Sequence, residues 1–208
     1  MERMSCHRHN YVEYFFKFSV LSVIFVSVLF LSSCNNVRDT RLYLRDGWTY
    51  SVEQDAEKMA SSEFIDFQGN EVSNLNKLLP SNQGFVWIKY TFELPDELKN
   101  KDLSFYAGGI NMADVTYLNG VEIGRAGTTP PDNEFSAWNE TRLYHIPSSI
   151  LKQDGQNTLL IKIWTHGEGS INISTYIGTT PDAKRSFYLE KFFNSTLNLM
   201  CAIAMLII

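Results

Sequence analysis

The chain has 208 residues, 44% hydrophobic and 13% aromatic, enough for one globular domain with its own core and hardly enough for two. A formal net charge of -5 removes the electrostatic basis for nucleic-acid binding. The apolar residues gather at both ends, outside the stretch that reads as a folded domain.

Residues 1–34 read as an export leader. Arg3, Arg8 and Lys17 outnumber Glu2 and Glu13, and residues 18–31, FSVLSVIFVSVLFL, carry no charge. The run is short for a membrane span, which needs ~20 residues, and suits the apolar region of a signal peptide. LSSC follows and resembles a bacterial lipobox, with Cys34 as the residue that would be lipidated. Plain signal cleavage with an incidental Cys34, and an uncleaved anchor, are the alternatives. The other cysteines are Cys6 in the leader and Cys201 in the apolar tail. The span from Asn35 to Lys191 has none, so it cannot rely on disulfides and must be held by its core.

From about Arg41 to Gly178 the pattern is that of short strands. GWTYSV and EFIDFQ are weak candidates, and EVSNLNKLLPSNQ is an irregular connector with room for one helical turn. VWIKYTFEL alternates cleanly: Val86, Ile88, Tyr90, Phe92 and Leu94 point one way, and Trp87, Lys89, Thr91 and Glu93 the other, as in a half-buried strand. DLSFYAGGI is a second strand. ADVTYLNGVEIGRAG is a hairpin, since Asn119-Gly120 tolerates the positive φ values that a type I′ turn requires. Val115 and Tyr117 take one of its faces, Thr116 and Leu118 the other. RLYHI is a further strand, PSSILKQDG a single helical turn from Pro147, NTLLIKIW a strand with Leu159, Ile161 and Ile163 on one face, and SINISTYIG closes the set. Short strands with turn signals every 8–12 residues indicate a sandwich or jelly roll.

Residues 179–191 read as a polar linker. Residues 192–208 carry no charge and span roughly 25 Å as a helix, short of a ~30 Å hydrocarbon core. They read as the start of a truncated transmembrane segment, with a buried terminal helix as the alternative.

The strand order from Phe85 to Gly178 resembles the galactose-binding-like jelly roll found in the sugar-binding domains of beta-galactosidases and beta-glucuronidases. The residues that carry the likeness are the aromatic strand with its Leu-Pro break, the glycine-containing strand, the YLNG hairpin and the GQNTLLIKIW strand. SAWNETRLYHIPSSIL and GEGSINISTYIG are also similar to the carbohydrate-binding-like extracellular domain, second type, of bacterial seven-transmembrane receptors with diverse intracellular signalling modules. The receptor resemblance implies an extracytoplasmic ligand-sensing domain of a membrane-bound signalling receptor in the bacterial cell envelope. Its rivals are a lipoprotein with a structural or adhesive jelly roll, and the sugar-binding N-terminal remnant of a glycoside hydrolase.

Catalytic chemistry is not legible. His7 and His9 are the only closely spaced histidines, and they lie in the leader. There is no Gly-x-Ser-x-Gly elbow or P-loop, and no identifiable carboxylate pair, so the reading is a non-enzyme without a cofactor. For Asp132-Asn133-Glu134, a solvated loop is the preferred reading over a Ca²⁺ site. A carbohydrate or other small ligand is expected at Trp138, Asn139, Arg142 and Tyr144: Trp138 to stack on a sugar face, Asn139 and Arg142 to donate hydrogen bonds. The competing view has Trp138 plugging one end of the sandwich and Arg142 paired with an acid. His166 and Glu168, from the neighbouring connection, are candidates to converge on the same place, with plain surface residues as the preferred alternative. Asp114 and Arg125, at the open ends of the hairpin, read as its only parts with spare polar capacity. Trp87 and Trp164 are expected to be packing residues.

Overall fold

The structure is a computed structural model and describes residues 40–55, 57–59, 62–67, 73–171 and 175–199. The leader with its lipobox, all three cysteines and residues 200–208 of the expected membrane segment lie outside the described residues.

Two antiparallel sheets face each other. The larger has the order β3(Ile65–Asp66), β2(Thr49–Ser51), β4(Gln83–Glu93), β9(Gln156–His166), β6(Ala113–Leu118), β7(Val121–Ala126). The smaller has the order β1(Leu42–Tyr43), β10(Tyr176–Thr179), β5(Leu103–Gly109), β8(Thr141–Ile146). This is the expected all-β galactose-binding-like jelly-roll sandwich. Its centre is the full-length pairing of β4 with β9, from Gln83↔His166 to Glu93↔Gln156. The alternation in both strands sends Val86, Ile88, Phe92, Leu159, Ile161 and Ile163 inward. There they meet Phe105, Ala107, Ile146 and Ile177 of the smaller sheet, and burial of this apolar surface is what holds a cysteine-free domain together.

The hairpin turn is as expected, with φ of 50° at Asn119 and 84° at Gly120. Asn119 does more than turn the chain. Its amide donates to Ile150 O at 2.7 Å and to Asn157 Oδ1 at 2.8 Å, and its Oδ1 accepts from Thr158 N at 2.9 Å. The turn is thereby fastened to the start of β9.

Two sequence expectations are corrected. Residues 147–150 close one hydrogen-bonded turn, Ile150 N donating to Pro147 O, and the chain bends through residues 151–154 without forming a helix. Residues 179–191 are not a linker: Thr180–Lys191 is a helix, α1. Thr179 caps it by accepting from Asp182 N, and a proline lies in its first turn, both helix-start signals. Ala183 and Phe187 pack on Tyr106, Tyr176, Tyr43 and Leu143, the outer face of the smaller sheet. Among the described residues no helix is long and apolar enough to cross a membrane.

Candidate functional site

The polar centre of the fold lies between β6 and β8. In RLYHI the residues at alternate positions, Arg142, Tyr144 and Ile146, all face inward and are buried. On β6 the inward set is Asp114, Thr116 and Leu118. The Arg142–Asp114 ion pair, with Nε to Oδ1 at 2.8 Å, is completely buried. Tyr144 Oη donates to Asp114 Oδ2 at 2.8 Å, and Thr116 adds a weaker bond at 3.3 Å. Burial pushes the Asp114 carboxyl up from the usual aspartate range while Arg142 pulls it down. Burial also raises the Tyr144 phenol, and the neighbouring carboxylate reinforces it.

Arg142 was expected to donate to a ligand. Instead each guanidinium nitrogen donates to the protein: Nε to Asp114, Nη1 to Ala137 O and Glu140 O, Nη2 to Met112 O. Tyr144 and Asp114 are likewise occupied within the fold. Arg125, exposed on β7, makes a double hydrogen bond with Glu122 through Nε and Nη2, which leaves the other N–H groups of its guanidinium facing solvent. Asp114, Arg142 and Tyr144 are thus buried and bonded to one another and to the fold, and of the four only Arg125 keeps polar groups in solvent.

What Arg142 builds is the loop before β8. It gathers the carbonyls of Ala137, Glu140 and Met112 around one buried cation. Ala137 N donates to Met112 O and Glu140 N to Ala137 O, both at 3.0 Å. On this pinned turn Trp138 is 67% exposed, with Asn139 exposed beside it. Trp138 therefore does not plug the sandwich. Phe135, in the same loop, is 60% exposed and was not singled out from the sequence. Large exposed aromatics on a braced turn are the arrangement that stacks on a flat apolar ligand face.

The connection after β9 comes to the same end. Asn111 N donates to Ser170 O at 2.8 Å, and the Asn111 side chain donates to Glu168 at 3.2 Å. His166 Nδ1 lies 3.0 Å from Glu134 Oε1. Residues 110–112 thus lie between the 134–140 loop and the 166–171 loop, and the His166–Glu134 pair ties the two outer loops together. Glu134 is held below the usual glutamate range chiefly by its hydrogen bond with His166, and the buried Trp164 indole N–H completes no hydrogen bond. Trp87 and Trp164 are buried on the outer face of the larger sheet. Trp87 Nε1 donates to Glu53 O, and Phe85 packs on Trp164 at 4.9 Å between ring centroids.

Two depressions do not include Trp138 or Phe135, although Arg125, Arg142 and Tyr144, three of the residues expected at a ligand, line the first. One of about 270 Å³ is lined by Arg125, Ala126, Glu140–Tyr144 and Phe187, and one of about 380 Å³ by Asn100–Asp102, His145, Ile146, Ser148 and Gln153. The aromatic loop is thus a projecting surface rather than a cleft. Among the described residues no group of three His, Cys, Asp or Glu is placed to hold a metal ion.

Sheet order, hairpin and braced end loops together define a galactose-binding-like β domain. The chain belongs to the family described as beta-galactosidase second all-beta domain, whose model matches residues 45–169. Solved structures with similar folds include the β-glucuronidase from Ruminococcus gnavus in complex with N1-substituted uronic isofagomine, at 20% identity over 62% of this chain and 23% of that chain, TM-score 0.46. The same enzyme with C6-substituted uronic isofagomine aligns at 16% identity over 69% and 30%, TM-score 0.49. Its apo form aligns at 21% identity over 62% and 22%, TM-score 0.46. This chain spans less than a third of the length of those structures. No curated protein matches it.

Proposed function

We propose that this chain is a non-catalytic, saccharide-recognising β domain of glycoside-hydrolase type. Trp138 and Phe135 supply the stacking surface, and Asn139, Asn111, Glu168 and the Glu134–His166 pair supply polar contacts at its edge. The observation that carries this reading is Trp138, exposed on a turn whose carbonyls are held by a buried guanidinium. A side chain with nothing to pack against is left in water by a backbone that is held rigidly, which lowers the ordering cost of binding. Membership of a β-galactosidase domain family supports a saccharide as the ligand class. The test is thermal unfolding of the full chain against β-galactosides, β-glucuronides and longer glycans. A binding saccharide raises Tm with concentration. Trp138→Ala keeps the ligand-free Tm and abolishes the rise. No shift with any saccharide counts against the reading.

A second reading is favoured by α1, which carries the chain directly from the sandwich into the uncharged residues 192–208. Here the domain is extracytoplasmic in a bacterial envelope, held by residues 192–208 and by a lipid on Cys34, and it reports ligand to a membrane partner. Metabolic labelling with a fatty-acid analogue, compared between the natural chain and Cys34→Ser, tests the lipid.

A further inference from the structure

Helix α1 has two stripes. One, at Ala183, Ser186, Phe187 and Glu190, is docked: Ala183 and Phe187 pack on the small sheet, Ser186 Oγ meets Tyr176 Oη at 2.6 Å, and Glu190 accepts from Tyr106 Oη. The other, at Arg185, Tyr188, Leu189 and Phe192, follows the i, i+3, i+4, i+7 spacing that places side chains on one helix face. It lies on the opposite side and is exposed, Tyr188 to 64%. Phe193, 56% exposed, and Leu199 extend it along the following helical turns.

The charges of the helix differ in their partners. Both acids are occupied within the domain, Asp182 with the Thr179 hydroxyl and Glu190 with Tyr106. Lys184, Arg185 and Lys191 are exposed and make no ion pair among the described residues; Arg185 lies on the outward stripe, and Lys184 and Lys191 flank it, with Lys191 Nζ 5.8 Å from the Phe187 ring centroid. A chain of net charge -5 thus presents a locally cationic, aromatic face, and its continuation over residues 200–208, MCAIAMLII, has no charge. Tyr and Phe beside Lys and Arg form the composition of a helix lying in the headgroup region of an anionic bilayer.

We infer that the outward stripe of α1 lies in the interface of an anionic membrane, and that the docked stripe fixes the sandwich at a set attitude to it. This rests on the reading of residues 192–208 as a membrane segment. The experiment uses the full chain carrying Cys6→Ser, Cys34→Ser and Cys201→Ser, reconstituted in vesicles of phosphatidylcholine and phosphatidylglycerol. A nitroxide is attached at Tyr188→Cys or Phe192→Cys, and for comparison at Asp132→Cys or Lys152→Cys. The inference predicts that labels at 188 and 192 lie roughly 5–10 Å below the phosphates while those at 132 and 152 stay aqueous. Replacing Lys184, Arg185 and Lys191 together by Glu should return the label at 188 to water. Leu189→Cys repeats the measurement should either first variant misfold. Aqueous labels at 188 and 192 in a vesicle-bound chain overturn this inference alone. Mutual spin broadening at 188 overturns it in favour of a second copy of the chain. A chain that does not stay with the vesicles removes the membrane-segment reading as well.

Discussion

Asp114, Arg142 and Tyr144 show how a sandwich core tolerates charge. A buried ion pair is stable only if its remaining valences are met, and here they are met by Tyr144, Thr116 and the carbonyls of Met112, Ala137 and Glu140. Removing one partner strands the other. Asp114→Ala and Arg142→Ala should each cost about 3–5 kcal/mol, and the double variant should cost much less than their sum, as denaturant unfolding of the four chains will show. The burial of Arg142 was legible in RLYHI, where alternation aligns it with Tyr144 and Ile146, just as ADVTYL aligns Asp114 with Leu118. Residue type argued for the surface and periodicity for the core, and periodicity prevailed because Asp114 stands across from Arg142. Glu134 is the opposite case, a surface group shifted by a neighbour. Its folded value lies below the unfolded one, so its latch on His166 contributes fully above the ordinary glutamate range, about 4.3. The contribution is lost as pH falls through the lower folded value. NMR titration should place the Glu134 carboxyl below that range, and His166→Ala should bring it back.

At the scale of elements, legibility followed the number of faces an element buries. β4 and β9 bury one face fully, so their period of two stands out. Trp87 on the other face is buried by the 53–55 segment through its bond to Glu53 O, a tertiary cover that alternation does not reveal. β1, at Leu42–Tyr43, is too short to have a period. Helix α1 shows no one-sided pattern in the sequence because its two apolar stripes lie on opposite sides and cancel. Its start was nonetheless written in TTPD, the cap Thr179 with a proline and an acid in the first turn. Thr179→Ala should lower stability by about 1 kcal/mol and lower α1 amide protection in hydrogen exchange more than that of β4 and β9.

At the scale of the molecule, each sheet carries something on its outside: aromatic rings under the 53–55 segment on the larger, α1 on the smaller. The loops at 110–112, 134–140 and 166–171 are left to form one exposed end. The sequence offered only the convergence of His166 and Glu168 on the Trp138 loop, as one of two readings; that residues 110–112 lie between them, and that Trp138 and Phe135 project while Arg142 braces them from within, could not be read from it, because it depends on which of four strands lie side by side. The central claim is that this end meets a saccharide. Amide chemical-shift mapping, with the saccharide that raises Tm most, tests it directly. The account predicts perturbations at residues 111–112, 134–139 and 166–169, lost in Trp138→Ala. Perturbations confined to the depression around Arg125 and Phe187, or none at saturating saccharide, would contradict it.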